Sequence, residues 1–124
     1  MKKFVIPIVI IVLIALGVYW LQSVPEKPGL YDELASCIAE SGAIFYGAFW
    51  CPVCQSQKGQ FGKAAQYLTY VECSTPDGRG QLAVCSEKNI SQYPTWELSG
   101  GERLEGLVSV EDLAQKTGCP LPTE

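Results

Sequence analysis

An apolar run at the N-terminus divides this chain before anything else about its fold can be argued. Lys2 and Lys3 precede a stretch from Phe4 to Leu21, about 18 residues, interrupted only by Pro7 and Gly17. That length is at the short end of what a helix needs to cross a hydrocarbon core. A cleavable export signal would have a shorter apolar core followed by a small-residue cleavage site. The best such site, Ala15-Leu16-Gly17, lies inside the run rather than after it. A signal anchor fits better: residues 1–22 as one transmembrane helix, with the lysines on the cytoplasmic side and Tyr19 and Trp20 at the far interface. Either reading puts the rest of the chain outside the cytosol. The expected location is the cell membrane, single-pass, with an extracytoplasmic C-terminal domain. Residues 23–29 hold Pro25, Glu26, Lys27, Pro28 and Gly29 and read as a short, stiff linker. One folded domain is left, at 30–124.

A domain of about 95 residues buries a limited core and gains from covalent staples. The chain has 9 basic and 13 acidic residues, and two of the basic ones are Lys2 and Lys3. The domain is therefore acidic and shows no basic patch, which argues against nucleic acid as a partner. Histidine is absent, which excludes a His-containing zinc site and any Ser-His or Cys-His catalytic pair. Six cysteines, Cys37, Cys51, Cys54, Cys73, Cys85 and Cys119, all follow the apolar run. An even number in an exported domain suggests three disulfides, drawn from some fifteen pairings.

Periodicity predicts a helix over Tyr31–Ser41, with Leu30, Leu34, Cys37 and Ile38 on one face, stopped by Gly42. Ala43–Phe49 is a short apolar and aromatic run, as expected of a strand buried on both faces. Cys51-Pro52 opens a second helix, since proline at the first helical position forfeits no hydrogen bond. Phe61, Ala64, Ala65 and Leu68 would line its inner face. A strand over Leu68–Cys73, a loop over Ser74–Gly80 and a short helix over Gln81–Asn89 follow. Thr95–Leu98 and Arg103–Leu107 read as a hairpin turning at Ser99-Gly100-Gly101. Ser109 caps a last helix, with Asp112 three residues on and Gly118 at its end. This order implies an α/β domain with a mixed sheet of about four strands and helices on both faces.

The chemistry centres on Cys51-Pro52-Val53-Cys54, at a strand-to-helix junction. The spacing lets two thiols close a small ring within the first turn of a helix. Cys51 would face unpaired backbone N–H groups and the positive end of the helix dipole, which favour thiolate over thiol. Thiolate is the attacking species in disulfide exchange, so Cys51 is the expected nucleophile and Cys54 the resolving thiol. The bland alternatives are half of a zinc site or a structural disulfide. A Cys₄ site needs a second close pair, and Cys73 and Cys85 are too far apart in sequence for that. Tyr93-Pro94-Thr95-Trp96 adds a second signal. Proline entering an apolar strand removes a ladder donor; alone it reads as an ordinary trans proline at the strand's first residue, and with the dithiol motif upstream as a cis Tyr93–Pro94 bond in a tight turn.

These residues resemble the thioredoxin superfamily. FYGAFWCPVCQSQKGQFG, then YVECSTPDGRG, a cysteine-bearing helix and YPTWEL are most similar to the thioredoxin-like domain associated with vitamin K epoxide reductase homologues. The resemblance runs from about Leu30 to Gly118 and implies a thioredoxin-like fold. It implies Cys51 and Cys54 as the redox pair, Pro94 as a cis-proline, and a surface of Trp50, Pro52, Tyr93 and Pro94 that meets the substrate. It also implies a role: withdrawing electrons from reduced exported proteins and passing them to a membrane quinone reductase of the vitamin K epoxide reductase type. One hydrophobic span cannot supply that four-helix reductase, so it would be a separate protein.

Two positions depart from the pattern. Val53 stands where family members often carry histidine, so the disulfide is expected to be less oxidising than a Cys-Pro-His-Cys centre. Phe45 stands where thioredoxin has a buried aspartate that assists the resolving thiol, which leans away from efficient reductase behaviour. Gly59 occupies the place of a kinking proline. Of the remaining cysteines, Cys73 and Cys85 bracket the Ser74–Gly80 loop, and the resemblance covers that pair as well. That leaves Cys37 with Cys119, joining the two ends of the domain. Both are expected as structural staples, Cys73–Cys85 alternatively as an electron relay. Trp96 reads as core, Lys58 as solvated, and Phe49 as docking surface or core. No metal or organic cofactor is needed, because the redox group is the Cys51–Cys54 disulfide. The leading expectation is an oxidant of exported proteins. A reductase or isomerase fed from the cytosol and a non-catalytic binding module are the alternatives.

Overall fold

The structure, a computed structural model, describes residues 2–23 and 28–123, except for the side chains of 2–5. Helix α1 covers Lys2–Gln22, with Pro7 inside it. From Ile6 to Leu21 its large apolar side chains are about half or more exposed. Among the described residues no helix is long and apolar enough to cross a membrane. The transmembrane helix expected over 1–22 is thus not part of the described fold. The first side chains of that span lie outside the described set, as do residues 24–27 of the expected linker.

The domain is built on a four-stranded mixed sheet in the order β2-β1-β3-β4: β1 (Ile44–Gly47), β2 (Tyr70–Glu72), β3 (Thr95–Glu97) and β4 (Arg103–Glu105). Strand β1 pairs parallel to β2 and antiparallel to β3. The β3–β4 hairpin closes through Leu98 N–H to the Glu102 carbonyl at 2.8 Å. Alternation along β1 splits the core. Phe45 faces one side, stacked on Trp96 at 4.8 Å and edge-on to Tyr70 at 5.1 Å. Tyr46 faces the other, with Cys73, Cys85 and Ile90.

Helix α2 (Asp32–Glu40) buries Leu34, Ala35 and Ile38, but Leu30 is 53 % exposed rather than on the buried face. The chain turns at Tyr31, so residue 30 lies outside the helical register. Helix α3 (Pro52–Phe61) is shorter than its apolar pattern predicts. At Gly62 the backbone takes φ +56°, ψ −131°, which side-chain-bearing residues avoid. A 3₁₀ helix, Gly62–Tyr67, continues on a new axis and still buries Ala64. The bend is therefore at Gly62, not Gly59. Helix α4 (Ala83–Ser86) is a single turn, and α5 (Val110–Thr117) buries Val110, Leu113 and Ala114. The Ser109 hydroxyl accepts the Asp112 N–H at 3.1 Å, capping α5 as the sequence signal indicates.

Two disulfides staple this frame. Cys37–Cys119 ties α2 to the residue beyond α5, and Cys73–Cys85 ties the end of β2 to α4. A polar clamp adds to them. Gln57 is fully buried on α3, its amide donating to the Val108 carbonyl and accepting the Val108 N–H, both at 2.9 Å. A buried amide satisfied on both atoms locks the chain beyond β4 to α3.

The two glycines give a test of opposite signs. Gly59 is exposed in α3, with nothing within 4 Å of where a Cβ would stand. Gly59→Ala is expected to stabilise the domain by about 0.5–1 kcal/mol. Gly62→Ala is expected to cost roughly 1–3 kcal/mol, because alanine must hold a glycine-only conformation. Urea unfolding of the two variants checks both.

Candidate redox site

The site forms where β1 ends and α3 begins. Ala48 is buried, while Phe49 and Trp50 stand half exposed at the rim. Cys51 is the N-cap residue of α3 and Pro52 its first helical residue. The Cys51 sulfur accepts the Cys54 backbone N–H at 3.2 Å, so an unpaired helix N–H points at the atom expected to attack. Such a donor stabilises negative charge on sulfur. Cys51 is 5 % exposed and Cys54 is fully buried; both are free thiols.

The Tyr93–Pro94 peptide bond is cis. Its loop comes against the thiols: the Cys51 thiol reaches the Tyr93 carbonyl at 3.8 Å. Trp50 packs edge-on to Tyr93 at 6.0 Å. The structure thus brings Trp50, Cys51, Pro52, Cys54, Tyr93 and Pro94 into one place. Pro94 itself is fully buried, so the loop offers a partner its backbone and Tyr93, not the proline ring.

The Ser74–Gly80 loop, which sequence marks only as a loop, forms a wall of the site. The Trp50 indole N–H donates to the Ser74 hydroxyl at 2.9 Å. Gly78 packs near both Trp50 and Phe49. On the same side Gln81 donates to the Tyr93 hydroxyl at 2.7 Å. The rim aromatics are therefore held from the chain that the Cys73–Cys85 disulfide brackets. Cys73 and Cys85 are both fully buried, which fits a staple rather than a relay that must meet another thiol.

Beneath the thiols lies a group that sequence reasoning missed. Tyr70 and Glu72 share one face of β2, two residues apart, and the Tyr70 hydroxyl donates to Glu72 Oε2 at 2.8 Å. Glu72 Oε1 accepts the backbone N–H groups of Phe49 at 3.2 Å and Ser74 at 2.9 Å. Lys58, expected in solvent, instead holds its ammonium 3.6 Å from the Tyr70 ring centroid. The Tyr-Val-Glu alternation puts both side chains on one face, but their nearness to the thiols comes only from the pairing of β2 with β1. Among the described residues no group of three or more His, Cys, Asp or Glu could hold a metal ion.

Burial pushes the Cys54 thiol up to about 12, and its hydrogen bond with Cys51 adds to the rise. Alkylation with iodoacetamide at pH 8 is accordingly expected to consume one thiol of the native reduced chain, at Cys51, and two after unfolding in urea. Mass spectrometry of digests reads this; comparable labelling of native Cys54 would contradict the burial. The linkage has a definite sign. Below the ordinary thiol value of 9.0 Cys54 is protonated in both states. Between 9.0 and about 12 only the unfolded chain loses the proton, so stability of the reduced form falls as pH rises through that window.

No protein-family model matches this chain. It is similar to the thiol-disulfide oxidoreductase LTO1 of Arabidopsis thaliana, 41 % identical over an alignment of 93 residues that covers 71 % of this chain and 24 % of that protein. The chain thus spans about a quarter of the length of that relative. Among solved structures it is similar to mitochondrial thioredoxin 3 from Saccharomyces cerevisiae in its oxidized form. That likeness has 20 % identity, covers 69 % of this chain and 84 % of the other, and has a TM-score of 0.35, too low to decide the fold. The four-stranded mixed sheet, the dithiol at the start of α3 and the cis proline beside it are features that the sequence's resemblance to the thioredoxin superfamily leads one to expect.

Proposed function

We propose that this chain is a thiol–disulfide oxidoreductase that exchanges disulfides through Cys51 and Cys54. One observation carries the reading: the Cys51 sulfur sits at the N-terminus of α3, held by the Cys54 N–H, and directly against the backbone of the cis-proline loop. A substrate strand lying along Tyr93 would bring its sulfur to Cys51. The relative that bears the name thiol-disulfide oxidoreductase supports the same chemistry. In the oxidising direction a substrate thiolate attacks Cys51 of the Cys51–Cys54 disulfide, and Cys54 leaves. A second substrate thiolate then displaces Cys51, so the substrate departs oxidised and the protein as a dithiol.

The finer reading concerns direction and place. The domain acts outside the cytosol on exported proteins, held at the membrane by residues 1–22, and a quinone reductase of the vitamin K epoxide reductase type withdraws its electrons. The apolar run behind Lys2 and Lys3 supports the location. Phe45, fully buried between aromatic rings, leaves no carboxylate at the position that serves reduction in thioredoxin and supports the oxidising direction. No organic cofactor or metal enters the exchange itself.

Equilibration with glutathione measures the potential of the pair. The expected value lies above about −230 mV and below that of the strongest oxidants near −120 mV. A value near −270 mV, that of cytosolic thioredoxin, would overturn the oxidant direction. A Cys54→Ser variant should accumulate mixed disulfides at Cys51 with exported proteins and with the membrane reductase; a Cys51 that forms none would leave a binding module.

A further inference from the structure

Cys54 poses a proton problem. Whenever the Cys51–Cys54 disulfide opens, the electron pair of the broken bond goes to Cys54 Sγ, which is fully buried. It must gain a proton there, and lose one each time the disulfide closes. Phe45 supplies no group for this, and Val53, 41 % exposed, faces outward with an apolar side chain.

Gly47 shows what does face the sulfur. A Cβ at this position would stand 3.2 Å from Cys54 Sγ, 3.3 Å from the Tyr70 hydroxyl oxygen and 2.9 Å from the Tyr70 ring. The side chain missing at Gly47 is what lets the phenol and the buried thiol border the same small gap at the end of β1. From there the path is continuous: the Tyr70 hydroxyl donates to Glu72 at 2.8 Å, and Glu72 is half buried, within reach of solvent. The ionisable groups around the gap come from two elements. Cys51 and Lys58 lie on the α3 side and Tyr70 and Glu72 on β2.

We propose that Tyr70 and Glu72 form the proton station of Cys54, with Tyr70 passing the proton across the Gly47 gap and Glu72 exchanging it with solvent. This deepens the oxidoreductase reading and rests on it. When the disulfide closes, the Cys54 S–H proton moves to the Tyr70 oxygen as the Tyr70 proton moves to Glu72. The Cys54 thiolate then forms the bond to Cys51, and the substrate sulfur leaves with the electron pair. When the disulfide opens, each transfer reverses. Burial and the Glu72 contact hold the Tyr70 phenol protonated, as a two-way relay needs. Glu72 acts through Tyr70 and is a positioning residue. Lys58, over the Tyr70 ring, favours the anionic form of Cys54 while it lasts.

The reaction of the reduced full chain with 5,5′-dithiobis(2-nitrobenzoate), followed by stopped flow, separates the two thiols. Attack by Cys51 releases the first thionitrobenzoate, and closure by Cys54 releases the second. Tyr70→Phe and Glu72→Gln are expected to slow the second phase relative to the first by about 100-fold and to move its pH profile upward. Glu72→Asp should recover part of the loss. A second phase with unchanged rate and pH profile in either folded variant overturns the proposal, as does equal slowing of both phases. Glutamine keeps an oxygen for the Phe49 and Ser74 N–H groups. Should Glu72→Gln still fail to fold, Tyr70→Phe decides alone, since it removes only the hydroxyl. Failure of the underlying function looks different: the first phase would then survive in Cys51→Ser.

Discussion

Pairing of β1 on both of its edges is the constraint on which the site depends. Its parallel neighbour β2 and antiparallel neighbour β3 bring three chain points to one end of the sheet. Strand β1 ends there and feeds the thiols into α3. Strand β2 ends there too, with Glu72 beside Gly47 in register. Strand β3, running the other way, begins there, so the residues just before it are Tyr93 and Pro94. A parallel β3 would have carried the cis-proline loop to the far end. The site is thus a result of strand direction, and the side chains refine what the backbone has assembled.

Much of this was legible in the sequence where a residue type has one physical meaning. Pro52 after Cys51 opens a helix because proline is tolerated there and scarcely anywhere else. Ser109 caps α5, and a proline before an apolar strand, read together with the dithiol upstream, marked the cis turn. Elements that depend on tertiary choice were less legible. Helix α3 looked longer because Ala64, Ala65 and Leu68 keep helical spacing, yet Gly62 redirects the axis and a 3₁₀ turn still buries Ala64. Lys58 looked solvated because a lone lysine carries no sequence sign of an aromatic face folded beneath it. Glu72 looked like an ordinary strand residue. Its meaning comes from Gly47 on the neighbouring strand, a relation between two segments that no single window contains.

Stability follows from smallness. With a limited core, the domain leans on tethers that act between distant parts of the chain. Cys37–Cys119 spans a sequence separation of 82 and shuts most of the domain into one loop, worth on the order of 4 kcal/mol in chain entropy. Gln57 does by hydrogen bonding what a third staple would do, joining the redox helix to the segment after the hairpin. That joint also sets the position of the cis-proline loop from behind, because Gly106 N–H bonds the Pro94 carbonyl at 2.9 Å.

The full burial of Cys73 and Cys85 has a consequence for the molecule's own integrity. A chain that carries a reactive thiol and two finished disulfides contains a reagent able to shuffle its own connectivity into misbridged isomers. Attack on a disulfide requires the incoming sulfur to approach in line with the S–S bond. Cys73–Cys85 lies sealed on the side of the sheet lined by Tyr46 and Ile90, away from the cluster that contains Cys51 and Cys54. The sheet serves as a partition between the bridge that must turn over and Cys73–Cys85. Repeated cycles of exchange can then pass through one molecule without disturbing the bridge that holds β2 to α4.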